Sequence, residues 1–166
     1  AVLLASIAAH LWRSRRGEPS QVSHPDADLA TYQALVAVVT RNEINFLREH
    51  DFGGAFPHRR VDPLDQYVGT MNAVEHRFLD PGLEEKRRAF HSAASALTLK
   101  LAYWTVHHRY TAGFSELAGS DRRRNEPPEG EHYERYEARR KRLGELADDT
   151  ADRYDELVEL ARRKLL

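Results

Sequence analysis

The sequence predicts an all-α fold: an up-and-down bundle of three long helices and one short helix, preceded by a short apolar N-terminal segment. Three observations lead there. Apolar residues recur at helical spacing along most of the chain, Asp-Pro pairs punctuate it where helices should start, and only 9 Gly and 7 Pro interrupt 166 residues. That length suits one hydrophobic core. The organisation expected is an apolar segment with a basic flank over 1–16, a linker over 17–28 and a helical domain over 29–166.

The chain opens on "AVLLASIAAHLW", followed by Arg13, Ser14, Arg15 and Arg16. A membrane span needs about 20 apolar residues, so this run is too short by itself and reads as the end of an anchor. Its arginines follow the apolar stretch, as at a stop-transfer boundary. The expectation is a protein at the bacterial inner membrane, with its body on the cytoplasmic side and Leu11, Trp12, Arg13, Arg15 and Arg16 next to the lipid. A short amphipathic helix lying on the domain is the alternative.

Pro25 and Asp26 suit a first helical turn, with Ser23 or His24 at the boundary, and from Leu29 to about Glu49 the first long helix is expected to carry Leu29, Tyr32, Val36, Val39 and Phe46 on its apolar side. "HDFGG" then reads as a helix stop, with Gly53 or Gly54 supplying a left-handed residue and Phe52 and Phe56 plugging the end of the bundle. "VDPLDQYV" restarts the chain as a short helix with Asp62 as N-cap, Pro63 at the first helical position and Asp65 in the first turn. The same device at Asp80 and Pro81 begins the most regular helix, whose stripe runs Leu83, Arg87, Phe90, Ala94, Leu97, Leu101, Trp104, His108. Residues 111 to 131 read as a long exposed connection. The last helix, from about His132, carries Leu143, Ala147, Thr150, Tyr154, Leu157, Ala161 and Leu165, and four acid-before-base pairs four residues apart: Glu131 with Arg135, Glu137 with Lys141, Asp149 with Arg153 and Glu159 with Arg163.

Several chemistries are excluded. There is no cysteine, hence no disulfide, thiolate metal site or cysteine nucleophile. The "DFG" of 51–53 lacks the glycine-rich loop, strand lysine and catalytic loop of a kinase, and its glycines lack the Lys and Ser or Thr of a phosphate loop. No nucleophile elbow is present. Acidic residues interrupt nearly all the basic clusters and the net charge is −1, so nucleic acid is not an expected partner. Nine histidines invite a metal reading, yet no H-E-x-x-H occurs and Glu129 to His132 is a single Glu-x-x-His. No metal site or cofactor is therefore expected. The candidate catalytic cluster is His50, Asp51, Glu75 and His76, acids beside imidazoles at helix ends; helix capping is the competing role for all four.

With "NFLREHDFGGAF", "EHRFLDPGLEEKRRAF" and "LADDTADRYDELVELARRKL", the chain resembles an uncharacterised bacterial family of small membrane-anchored helical-bundle proteins with HDFG, EHxF and YDxL strings. The resemblance covers roughly residues 30 to 166 and implies an anchor and a helical body, but no activity. The expected role is a membrane-tethered, non-catalytic interaction, assembly or sensing domain that meets a membrane surface and either a protein partner or a second copy of itself. The alternative is a metal-dependent or acid-base enzyme using a His/Asp/Glu cluster at the helix ends.

Overall fold

Two stretches expected to continue as helix or loop do something else, and they reshape the bundle. The structure, a computed structural model, describes residues 25–71, 73–108, 110–118 and 130–166, the side chain of residue 131 excepted. Among them are five α-helices: α1 (Pro25–Val38), α2 (Arg41–Glu49), α3 (Asp62–Thr70), α4 (Pro81–Trp104) and α5 (Glu131–Leu165). Two 3-10 turns cover His58–Arg60 and Val74–His76. Three short strands, β1 (Phe56–Pro57), β2 (Thr105–His107) and β3 (Phe114–Leu117), pair antiparallel in the order β1-β3-β2. The expected count of three long helices and one short helix is therefore corrected to five helices, with a small sheet at one end. α1 starts at Pro25, so Pro25 and Asp26 form its first turn as the sequence suggests, within the last residues of the 17–28 stretch.

The first departure is a break in the first helix. Thr40 adopts an extended conformation and caps α2, accepting from Asn42 N, while the Glu43 carboxylate takes the Thr40 backbone N–H at 3.0 Å. This reciprocal capping box satisfies orphan amides at a new helix start. Tyr154 Oη donates to Val39 O across the break at 3.0 Å. The second departure is at Thr105, where α4 ends and its β-branched residues enter β2. His108 is thus not on the helix, and part of the expected connection becomes β3.

The core lies between α4 and α5, which share the largest interface. Leu83, Phe90, Ala94, Leu97 and Leu101 of α4 face Leu143, Ala147, Ala151, Tyr154, Leu157 and Ala161 of α5, all buried. α1, α2 and α3 close over this pair. Asp80 caps α4 as the sequence suggests, accepting from Leu83 N at 2.9 Å. Its approach is held by buried Asp28 of α1, whose carboxylate accepts from Leu79 N at 2.6 Å and Asp80 N at 2.9 Å. On α5, Asp149 pairs with Arg153 and Glu159 with Arg163, whereas Glu137 meets Arg140 rather than Lys141.

No helix among the described residues is long and apolar enough to cross a membrane. The expected membrane anchor and inner-membrane location are corrected accordingly. The residues on which they rested, including Leu11, Trp12, Arg13, Arg15 and Arg16, lie outside the described residues.

Candidate metal centre

The small sheet positions a histidine. Phe56 and Pro57 pair with Ser115 and Phe114, and the next amide, His58 N, donates to Gly113 O at 2.8 Å. Gly113 has a φ of 77°, a left-handed turn residue that glycine adopts without steric cost. Pro57 ends the strand, the chain tightens into one 3-10 turn, and α3 follows directly. Its N-cap is Val61, without a side-chain cap bond, so Asp62 stands inside the first turn instead of capping it. This corrects the expected cap. The carboxylate released from that duty turns back toward His58, with Asp62 Oδ1 3.3 Å from His58 Nε2.

Asp65 completes the group. His58, Asp62 and Asp65 follow one another at i, i+4 and i+7, the spacing that stacks side chains on one face of a helical path. One ligand atom from each lies within 4.8 Å of the other two. Ligand bonds of about 2.0–2.2 Å in a tetrahedral site place neighbouring donors about 3.4 Å apart. The His58–Asp62 pair already has that separation, and a ligand atom of Asp65 lies within 4.8 Å of both. All three residues are exposed; partial desolvation still pushes the Asp65 carboxyl up, with His58 opposing this and the Asp62 charge adding to it. A cation would relieve both burdens.

His58 is oriented from behind. Its Nδ1 lies 3.1 Å from Oγ of Ser115, which is 3% exposed. With Nδ1–H donating to this hydroxyl, Nε2 presents its lone pair to the two aspartates, the arrangement common to metal-ligating histidines. His107, opposite Ser115 in the sheet register, brings a second imidazole to the same rim, its ring centroid 6.3 Å from that of His58.

A cleft of about 260 Å³ opens beside this group. Phe56, His58, Val61 and Asp65 form one wall; Thr98, Leu101, Ala102 and Thr105, from the end of α4 and the start of β2, form the other.

The four residues singled out from the sequence are placed differently. His50 ends α2 with its ring stacked on Phe46 at 5.0 Å and edge-on to Phe52 and Phe56 at 5.0 and 5.3 Å. Burial lowers its pKa, and its Nε2 is buried without a hydrogen-bond partner among the described residues. Asp51 accepts from Gly53 N at 2.7 Å and from Arg140 at 2.8 Å. The Gly53 amide first, then Arg140, holds its carboxyl below the usual carboxylate range. Glu75 and His76 occupy the second 3-10 turn. Among the described residues neither makes a hydrogen bond, ion pair or ring contact with His50 or Asp51. His50 and Asp51 thus sit in a packed helix end, and the His58, Asp62 and Asp65 group that could hold a metal lies elsewhere. The signal missed was His58-x3-Asp62-x2-Asp65, with Asp62 assigned to capping. No known protein-family model, curated protein or solved structure matches this chain.

Proposed function

We propose that this mostly helical domain binds a divalent transition metal through His58, Asp62 and Asp65 and acts on a small molecule in the adjoining cleft, as a metal-dependent enzyme. The convergence of one imidazole and two carboxylates within 4.8 Å carries this reading. Such a mixed N/O set suits zinc, manganese or ferrous iron rather than magnesium or calcium, which favour all-oxygen sites. Three protein ligands leave coordination positions open, the pattern of catalytic sites; a metal held there would supply Lewis acidity and an acidified water. The chain's own contribution is to orient His58 through Ser115 and to set two carboxylates whose charge the ion neutralises.

The test is calorimetric titration of the chelator-stripped chain with Zn²⁺ and Mn²⁺. One site per chain is expected, with His58→Gln and Asp65→Asn each weakening it at least about tenfold while far-ultraviolet circular dichroism stays unchanged. A second reading, a non-catalytic interaction domain, is favoured by Leu99 and Tyr103, both exposed and four residues apart on α4. A wild-type chain that takes up neither ion overturns the metal reading and puts the second one first.

A further inference from the structure

The cleft beside His58 and Asp65 has a chemistry of its own. On the α4 side, Thr98, Leu101, Ala102 and Thr105 recur at helical spacing. Both threonine hydroxyls are committed as donors, Thr98 Oγ1 to Ser95 O at 3.3 Å and Thr105 Oγ1 to Leu101 O at 2.7 Å. They offer the cleft lone pairs only. Phe56, Val61, Leu101 and Ala102 supply hydrocarbon, and among the described residues no lysine or arginine lines the cleft. An anionic group on the body of a ligand, away from the ion, would meet threonine lone pairs and hydrocarbon, with no lysine or arginine among the described lining residues to neutralise it. A neutral hydrocarbon body would meet Phe56 and Leu101. The volume, about 260 Å³, lies just under the roughly 300–1,000 Å³ of sites for drug-sized ligands.

Two of the three metal-ligating residues, His58 and Asp65, also line the cleft, so the ion they hold stands at its wall. We propose that the cleft selects a small ligand with a single oxygen-donor head and an uncharged apolar body, a monofunctional acyl compound, whose head completes the coordination of that ion. This substrate class rests on the metal site proposed above. Dicarboxylates, phosphorylated bodies and other doubly anionic molecules are disfavoured by the same walls.

The probe is a series of straight-chain alkyl hydroxamic acids titrated into the zinc-loaded chain, with hexanohydroxamic acid compared against the same chain ending in a carboxylate. Affinity should rise about three- to fourfold per added methylene until the cleft is filled, and the carboxylate-ended chain should bind at least about tenfold more weakly. Ala102 is exposed at the rim, so Ala102→Trp can narrow the cleft without displacing a buried side chain. It should keep zinc affinity within about twofold and abolish the length dependence. If zinc binds but affinity ignores both chain length and the terminal carboxylate, or Ala102→Trp leaves the length dependence intact, the ligand class is wrong and the metal site stands. If zinc does not bind the wild-type chain, the metal reading and this inference fall together.

Discussion

His50 shows how little a residue's chemistry can be told from its type. An imidazole followed by an aspartate looks like an acid-base pair, yet three phenylalanine rings surround this one and Asp51 is turned to Gly53 and Arg140. The turn beyond it was only partly legible. Two glycines offer themselves for a left-handed residue, but Phe52 takes it, with a φ of 56°. Burying the Phe52 side chain, worth about 1.5–3 kcal/mol, offsets a left-handed backbone cost of about 1–2 kcal/mol. At Gly53 a Cβ would lie 2.8 Å from Arg140 Nε and displace that side chain from its place beside Asp51, while the Gly53 carbonyl accepts from Tyr136 Oη at 2.7 Å. The His50 environment makes a pH prediction. Because burial lowers the folded-state pKa below the unfolded value of about 6.5, the unfolded chain binds the proton more readily, and stability falls as pH drops through that value and below. Urea denaturation at pH 7.5 and 5.5 should show this loss, and His50→Phe should shrink it. An equal loss in the variant would mean that other groups set the acid sensitivity.

Among the elements, those with strong periodicity or an Asp-Pro start were readable, as α4 and α5 show. The break between α1 and α2 was also written in the chain, as Thr40-Arg41-Asn42-Glu43, but the apolar stripe running through Val39 to Phe46 masked it. β2 was hidden for the opposite reason: Thr105 to His108 keeps the helical spacing, and only β-branched Thr105 and Val106 with Gly113 downstream argue for a strand. The His58, Asp62 and Asp65 group, which could hold a metal, was missed at this scale too. Asp62 followed by proline satisfies the rule for a cap, but in the structure the helix starts one residue earlier, with Val61 at the N-cap. A local rule that fails where side chains converge is what a functional site is expected to produce. The capping box can be tested directly. Thr40→Ala should cost about 0.5–2 kcal/mol, read as a lower urea midpoint with an unchanged m-value, whereas no change would mean that Tyr154 and the packing of α2 hold the break unaided.

Across the whole molecule, α5 is a single helix of 35 residues, about 52 Å long, and α1, α2 and α4 pack along it. Arg41 and Arg48 of α2 pair with Asp155, Lys86 of α4 with Glu156, and Lys164 with the Asp80 cap. These pairs are partly exposed and individually weak. The stronger tie is buried. Arg87, which the sequence placed in the apolar stripe of α4, is 2% exposed and grips Glu84 through two bonds of 2.8 and 2.9 Å. Its remaining nitrogen donates to Met71 O at 3.1 Å, and Glu84 also accepts from Phe78 N at 3.2 Å. Burial pushes the Glu84 carboxyl up, but Arg87 and Arg88 together hold it below the usual range. One ion pair therefore fastens α4 to the end of α3 and to the loop that follows it. Arg87→Met should cost up to about 3–5 kcal/mol, because it takes the buried guanidinium from Glu84, leaving that carboxylate only the exposed Arg88 and the Phe78 amide, and removes the donor to Met71 O. The double variant Glu84→Gln with Arg87→Met removes the carboxylate charge and should recover part of that loss, which thermal melts of the two variants will compare. A double variant no more stable than Arg87→Met alone would show that the guanidinium matters for its bond to Met71 and its packing rather than for the charge it neutralises.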